Sequence, residues 1–93
     1  MNLEIQDKNF LVLGASSGFG RYIAERISRE GGHPILVARS ADKLRDFQKS
    51  HPDSSFIVAD LLKPEGLQSV IRETNNITLD GVLINAGGPP AGS

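Results

Sequence analysis

Ninety-three residues allow one small domain with a core, although an open α/β sheet of that length has little stability to spare. Ten Lys and Arg against eleven Asp and Glu leave a net charge of −1, so no broad basic field argues for nucleic acid. The absence of cysteine excludes a disulfide framework and any thiolate metal site. The first eight residues, Met1 to Lys8, are a lead-in too polar for a signal peptide, and no apolar run approaches the roughly 20 residues of a membrane helix. The expectation is a cytoplasmic protein with no membrane partner. Residues 9–14 are then a continuous apolar run of strand length. Residues 18–31 predict a helix with Phe19, Ile23, Ala24 and Ile27 on one face, Glu25 and Arg29 as an i,i+4 pair, and Gly31-Gly32 as its stop.

A second buried strand is predicted over 34–38. Ser40 is the expected N-cap of a helix that carries Leu44 and Phe47 inward and breaks at Pro52-Asp53-Ser54. Residues 56–59 predict the third strand. Pro64 suits the first position of a third helix, whose apolar face is Leu67, Val70 and Ile71 and which ends at Asn75-Asn76. Residues 82–84 predict the fourth strand, and 88–93 a loop tail. Strands apolar at every position are expected to be buried on both faces of a parallel sheet, and right-handed crossovers order them 3-2-1-4. The fold class is therefore α/β: a three-layer, doubly wound parallel sheet of Rossmann type, partial, with residues 1–93 as one domain. His33 and His51 lack ligand-like spacing and are read as structural or solvated.

The most informative stretch is Gly14-Ala15-Ser16-Ser17-Gly18-Phe19-Gly20, between the first strand and the first helix. A glycine-rich turn there is a pyrophosphate cradle: Gly14 allows the tight turn, Gly18 the close approach of backbone to ligand, and Gly20 the packing of helix on strand. An ordinary glycine-rich loop is the plain alternative. The spacing is G-x-x-x-G-x-G rather than the commoner G-x-G-x-x-G. With Ala-Ser-Ser inside it, it resembles the short-chain dehydrogenase/reductase family, and the 3-oxoacyl reductase type in particular.

Three further positions fit that resemblance, each at the carboxyl end of a predicted strand. Arg39 stands where NAD-binding members place an acidic residue near the ribose 2′-hydroxyl. A guanidinium suits a 2′-phosphate, so NADP(H) is favoured over NAD(H), with Ser16, Ser17 and Ser40 as weaker contributors. A solvated Arg at a helix entry is the alternative. The resemblance makes Asp60 the acceptor from the adenine amino group and Leu61 an apolar contact to the ring; capping of the next helix by Asp60 is equally open. Asn85-Ala86-Gly87 is similar to the family's Asn-Asn-Ala-Gly, which the resemblance makes a strand tie and a close approach to the ribose. A generic strand-end turn is the alternative there.

The departures are Leu13 where the family usually has Thr, Ile84 for the first Asn, and Ser17 where many NADP-preferring members carry a basic residue. The resemblance also implies a catalytic Ser, Tyr-x-x-x-Lys and Asn beyond the fourth strand, and these 93 residues do not reach them. Tyr22, the single tyrosine, precedes Arg26 by four on the first helix, which is not that motif. The chain alone is expected to be inactive, as the dinucleotide-binding segment of an alcohol/ketone oxidoreductase. A stand-alone nucleotide-binding or interaction module is the alternative, and a folded remnant without function a third. Self-association is expected through the fourth strand's edge or the bare sheet face.

Overall fold

A computed structural model describes residues 5–15 and 18–85. Its elements alternate: β1 (Asn9–Leu13), α1 (Gly18–Arg29), β2 (His33–Ala38), α2 (Ala41–Ser50), β3 (Ser55–Val58), α3 (Pro64–Glu73) and β4 (Gly81–Ile84). The four strands form one parallel sheet in the order β3-β2-β1-β4, as the crossover rule requires. The expected tail, 88–93, lies outside the described residues.

Alternation along the strands divides the interior into two layers. Val12, Leu36 and Ala38 meet Ala24 and Ile27 of α1 and Leu44 and Phe47 of α2 on one face. Leu11, Ile35 and Val37 meet Ala59 and Val70 of α3 on the other. Helices thus cover both faces of the sheet. An ion pair of 3.7 Å between Arg21 and Asp46 joins α1 to α2, and the Arg21 guanidinium lies over the Phe47 ring.

Local chemistry explains the element ends. At α1 the Gly31 N–H donates to the Ser28 carbonyl and the Gly32 N–H to the Ile27 carbonyl, with Gly31 at φ 89°, so the helix ends in a left-handed glycine cap two residues earlier than predicted. The Ser40 hydroxyl accepts from the Lys43 N–H and caps α2 as expected. The Thr74 hydroxyl donates to the Val70 carbonyl and closes α3.

Burial on both faces holds for β1 and β2 only. The apolar composition of β3 misled that expectation, because β3 is an edge of the sheet; β4, the other edge, was expected to lie partly bare. β3 is exposed at both ends, and Val82, Leu83 and Ile84 of β4 are all exposed. The predicted apolar face of α3 also needs correction. Gly66, Val70 and Thr74, at i,i+4 spacing, point inward, while Leu67 and Ile71 face outward. Gly66 sets this register, since a Cβ there would overlap the Asp60 carbonyl. Phe19 is likewise no part of α1's inner face. It is 67% exposed and stacks on Tyr22, because Gly20, Ala24 and Ile27 form the buried stripe. Among the described residues no helix is long and apolar enough to cross a membrane.

Candidate nucleotide site

The carboxyl ends of all four strands converge on the turn after β1. Gly14 leaves the strand at φ 78°. Its N–H and that of Ala15 both donate to the Val37 carbonyl of β2, at 2.8 and 3.1 Å. The Gly14 carbonyl accepts from the Asn85 side-chain Nδ2 at 3.2 Å, and the Asn85 N–H donates to the Leu13 carbonyl at 2.9 Å. The turn is therefore clamped from β2 on one side and from the end of β4 on the other.

The three glycines of the motif have different surroundings. A Cβ on Gly14 would stand 2.6 Å from the Asn85 carbonyl oxygen. One on Gly20 would stand 2.6 Å from the Gly14 carbonyl oxygen and 3.0 Å from Asn85 Nδ2. Gly18, at φ 62°, has no atom of another described residue, its chain neighbours aside, within 4 Å of that position. Gly14 and Gly20 thus let strand, turn and helix touch, whereas Gly18 presents bare backbone to open space. With the Gly14 and Ala15 N–H groups spent on Val37, the donors left to meet an anion are those heading α1, which as at any helix start have no carbonyl of the preceding turn to bond. Ser16 and Ser17 lie outside the described residues.

A cleft of about 230 Å³ opens beside this turn, between the ends of β2 and β3. Gly14, Arg39, Asp60, Leu61 and Asn85 line it, all of them predicted site residues. Arg39 is exposed and makes no ion pair among the described residues. One carboxylate oxygen of Asp60 accepts from the Leu62 N–H at 3.0 Å and its carbonyl from the Lys63 N–H, so Asp60 shapes the turn. It is not the N-cap of α3; Lys63 holds that position, without a side-chain cap. Leu62, which the sequence did not single out, is 88% exposed on the cleft wall.

Gly18, Phe19, Gly20 and Ser40 are not on the cleft. Phe19 and Gly20 line a neighbouring apolar pocket of about 240 Å³ with Leu83 and Ile84, and Ser40 is occupied as the N-cap of α2. Ala86 and Gly87 lie outside the described residues. A larger groove of about 840 Å³ runs between α1 and the sheet at β1 and β4, where Phe10, Tyr22, Ile27 and Leu83 make it apolar. None of the residues that directly follow the strands lines it, and open α/β sheets take their ligands at the strands' carboxyl ends, so the smaller cleft is the candidate site. Among the described residues no group of three or more His, Cys, Asp or Glu side chains could hold a metal ion.

The family model described as short chain dehydrogenase matches residues 8–93. This chain belongs to that family. It is 34% identical over 77 residues to 11-beta-hydroxysteroid dehydrogenase B of Sesamum indicum, covering 77% of this chain and 21% of that protein. It is 35% identical over 92 residues to the Escherichia coli oxidoreductase YciK, covering 89% of this chain and 36% of that protein. The L-sorbose reductase of Gluconobacter frateurii, solved in complex with NADPH and L-sorbose, superposes with a TM-score of 0.83 at 32% identity, over 90% of this chain and 35% of its own. The chain spans about a fifth to a third of the length of these family members.

Proposed function

We propose that the cleft and the turn beside it hold a nicotinamide dinucleotide, NADP(H) in preference to NAD(H), and that this chain is the nucleotide-binding segment of an oxidoreductase acting on an alcohol or ketone. The observation that carries the reading is the contrast among the glycines: the one expected to face a ligand is the one with nothing in front of it. The residues fit the group. The N–H groups at the head of α1 face the pyrophosphate, with Ser16 and Ser17 contributing hydroxyls. Arg39, exposed just after β2 and without a partner carboxylate among the described residues, would meet the 2′-phosphate with paired charge-assisted hydrogen bonds. Asp60 keeps one carboxylate oxygen engaged with the Leu62 N–H and turns the other toward the adenine amino group, with Leu61 against the ring. Asn85, Ala86 and Gly87 carry the backbone past the ribose. Similarity to an enzyme solved with NADPH supports a nicotinamide dinucleotide as the ligand, and Arg39 alone carries the preference between the two. The bound nucleotide would supply the hydride; this chain's own residues bind and orient it.

Calorimetric titration with NADPH, NADH and ATP tests the reading. NADPH should bind more tightly than NADH, and ATP more weakly than either. Loss of a charge-assisted contact costs about 1.5–3 kcal/mol, so Arg39→Ala should erase most of the difference between the two dinucleotides. Equal affinity of the unsubstituted chain for NADPH and NADH would overturn the NADP preference, and absence of binding to either would overturn the site.

A further inference from the structure

We infer that Leu62 is a further binding residue of the cleft, an apolar wall that lies on one face of the adenine ring while Asp60 meets the ring's edge. The inference rests on the reading of the cleft as a dinucleotide site. A purine offers two kinds of surface, a polar edge and two apolar faces. Small-molecule sites meet both, with apolar walls for area and a few placed polar groups for orientation. Asp60 can serve the edge, so the face needs an apolar partner.

The cleft offers few candidates. Ala38 and Ala59 are 6% and 8% exposed, so they form its floor and present little surface. Leu61 packs on the layer that holds Ala59 and Val70, which divides its side chain between core and cleft. Leu62 lines the same cleft, is exposed, and belongs to neither core layer. Exposure alone would mean little, since single apolar side chains are ordinary on protein surfaces. What distinguishes Leu62 is where its turn holds it.

The Asp60 carbonyl accepts from the Lys63 N–H at 3.1 Å, which makes residues 60–63 a β-turn with Leu61 and Leu62 at its centre. The Leu62 N–H donates to Asp60 Oδ1 at 3.0 Å, so the carboxylate and Leu62 are fixed relative to each other. Gly66 of α3 packs directly on the Asp60 backbone and holds the turn in place. A ring whose amino group reaches the other carboxylate oxygen therefore has Leu62 within a side-chain length. Only the backbone of Leu62 takes part in these bonds, so its side chain is not required for the turn.

Calorimetry with NADPH, NADH and adenosine 2′,5′-bisphosphate, which share the adenine ring, tests this. Leu62→Ala should weaken all three by the same factor, about fivefold to tenfold, as expected for loss of about 50 Å² of apolar contact. Leu62→Met keeps an apolar chain of similar volume and should bind within about twofold of the unsubstituted chain. Ile71→Ala, exposed on α3 and off the cleft, should also bind within about twofold. Without nucleotide, Leu62→Ala should melt within about 3 °C of the unsubstituted chain, because it loses no packing. A larger drop would make Leu62 a structural residue, and unequal losses for NADPH and NADH would place its action at Arg39. Either result, undiminished affinity in Leu62→Ala, or failure of Leu62→Met to restore it would overturn the inference and leave the dinucleotide site standing. Failure of the unsubstituted chain to bind any of the three would overturn the site and the inference together.

Discussion

The glycines of the turn are chemically identical and do different things. Gly20→Ala gains up to about 1 kcal/mol of helix propensity, but its methyl meets the Gly14 carbonyl and the Asn85 amide that clamp the turn, and overpacking of that kind costs about 1–3 kcal/mol. The backbone carbonyl cannot swing aside, so the clash wins, and chemical denaturation should show a net loss of up to about 2 kcal/mol. Gly18→Ala has open space and loses only the left-handed backbone preference, about 1 kcal/mol. Its methyl occupies the approach to the turn, so calorimetry should show NADPH affinity falling more than tenfold while the circular dichroism spectrum stays unchanged. Undiminished affinity in that variant would remove the turn from the site. Asn85 completes the residue-scale account. Its side chain holds the Gly14 carbonyl, joining β1 to β4 although Leu13 and Ile84 stand where the family usually has Thr and Asn.

At the scale of elements, α2 and α3 are anchored in different ways. Phe47 is 1% exposed, stacks on His51 and lies under Arg21, so it fastens α2 to both the sheet and α1. Phe47→Ala should cost about 3–5 kcal/mol, comparable with the whole stability of so small a domain, and thermal denaturation should find the variant largely unfolded. Helix α3 touches the sheet through a thin stripe of Gly66, Val70 and Thr74. Gly66→Ala drives a methyl into the Asp60 carbonyl, a backbone group that cannot swing aside, and should destabilise by about 3 kcal/mol or more. Because Asp60 is on the cleft wall, NADPH affinity should fall in the same variant. Gly66 was not singled out from the sequence, and what it packs against could not be read there, because Asp60 reaches it through a turn whose shape depends on the Leu62 N–H.

For the whole molecule, the sheet brings the ends of four strands, spread over some 70 residues of sequence, to one cleft. Hydride transfer to a carbonyl also needs an acid at the substrate oxygen. Tyr22 is on the outer side of α1, stacked on Phe19 and lining the distant groove, and no other tyrosine is present.

Element type, element order and strand order were all legible in the chain, because apolar runs, caps and crossover handedness are local or nearly local properties. The same holds for the placement of the candidate residues at the strands' carboxyl ends: Gly14, Arg39, Asp60, Leu61 and Asn85 lie together on the cleft. Which apolar residues are buried was decided only by tertiary structure. Phe19, Leu67 and Ile71 read as interior and are exposed, since burial depends on which neighbours exist on each side of the sheet. The exposure of Leu62 on the cleft wall, the contact between Gly66 and Asp60, and the sharing of the Val37 carbonyl by two N–H groups were equally hidden. Each joins atoms far apart in sequence or sets a direction within a turn, and composition and periodicity carry no information about either.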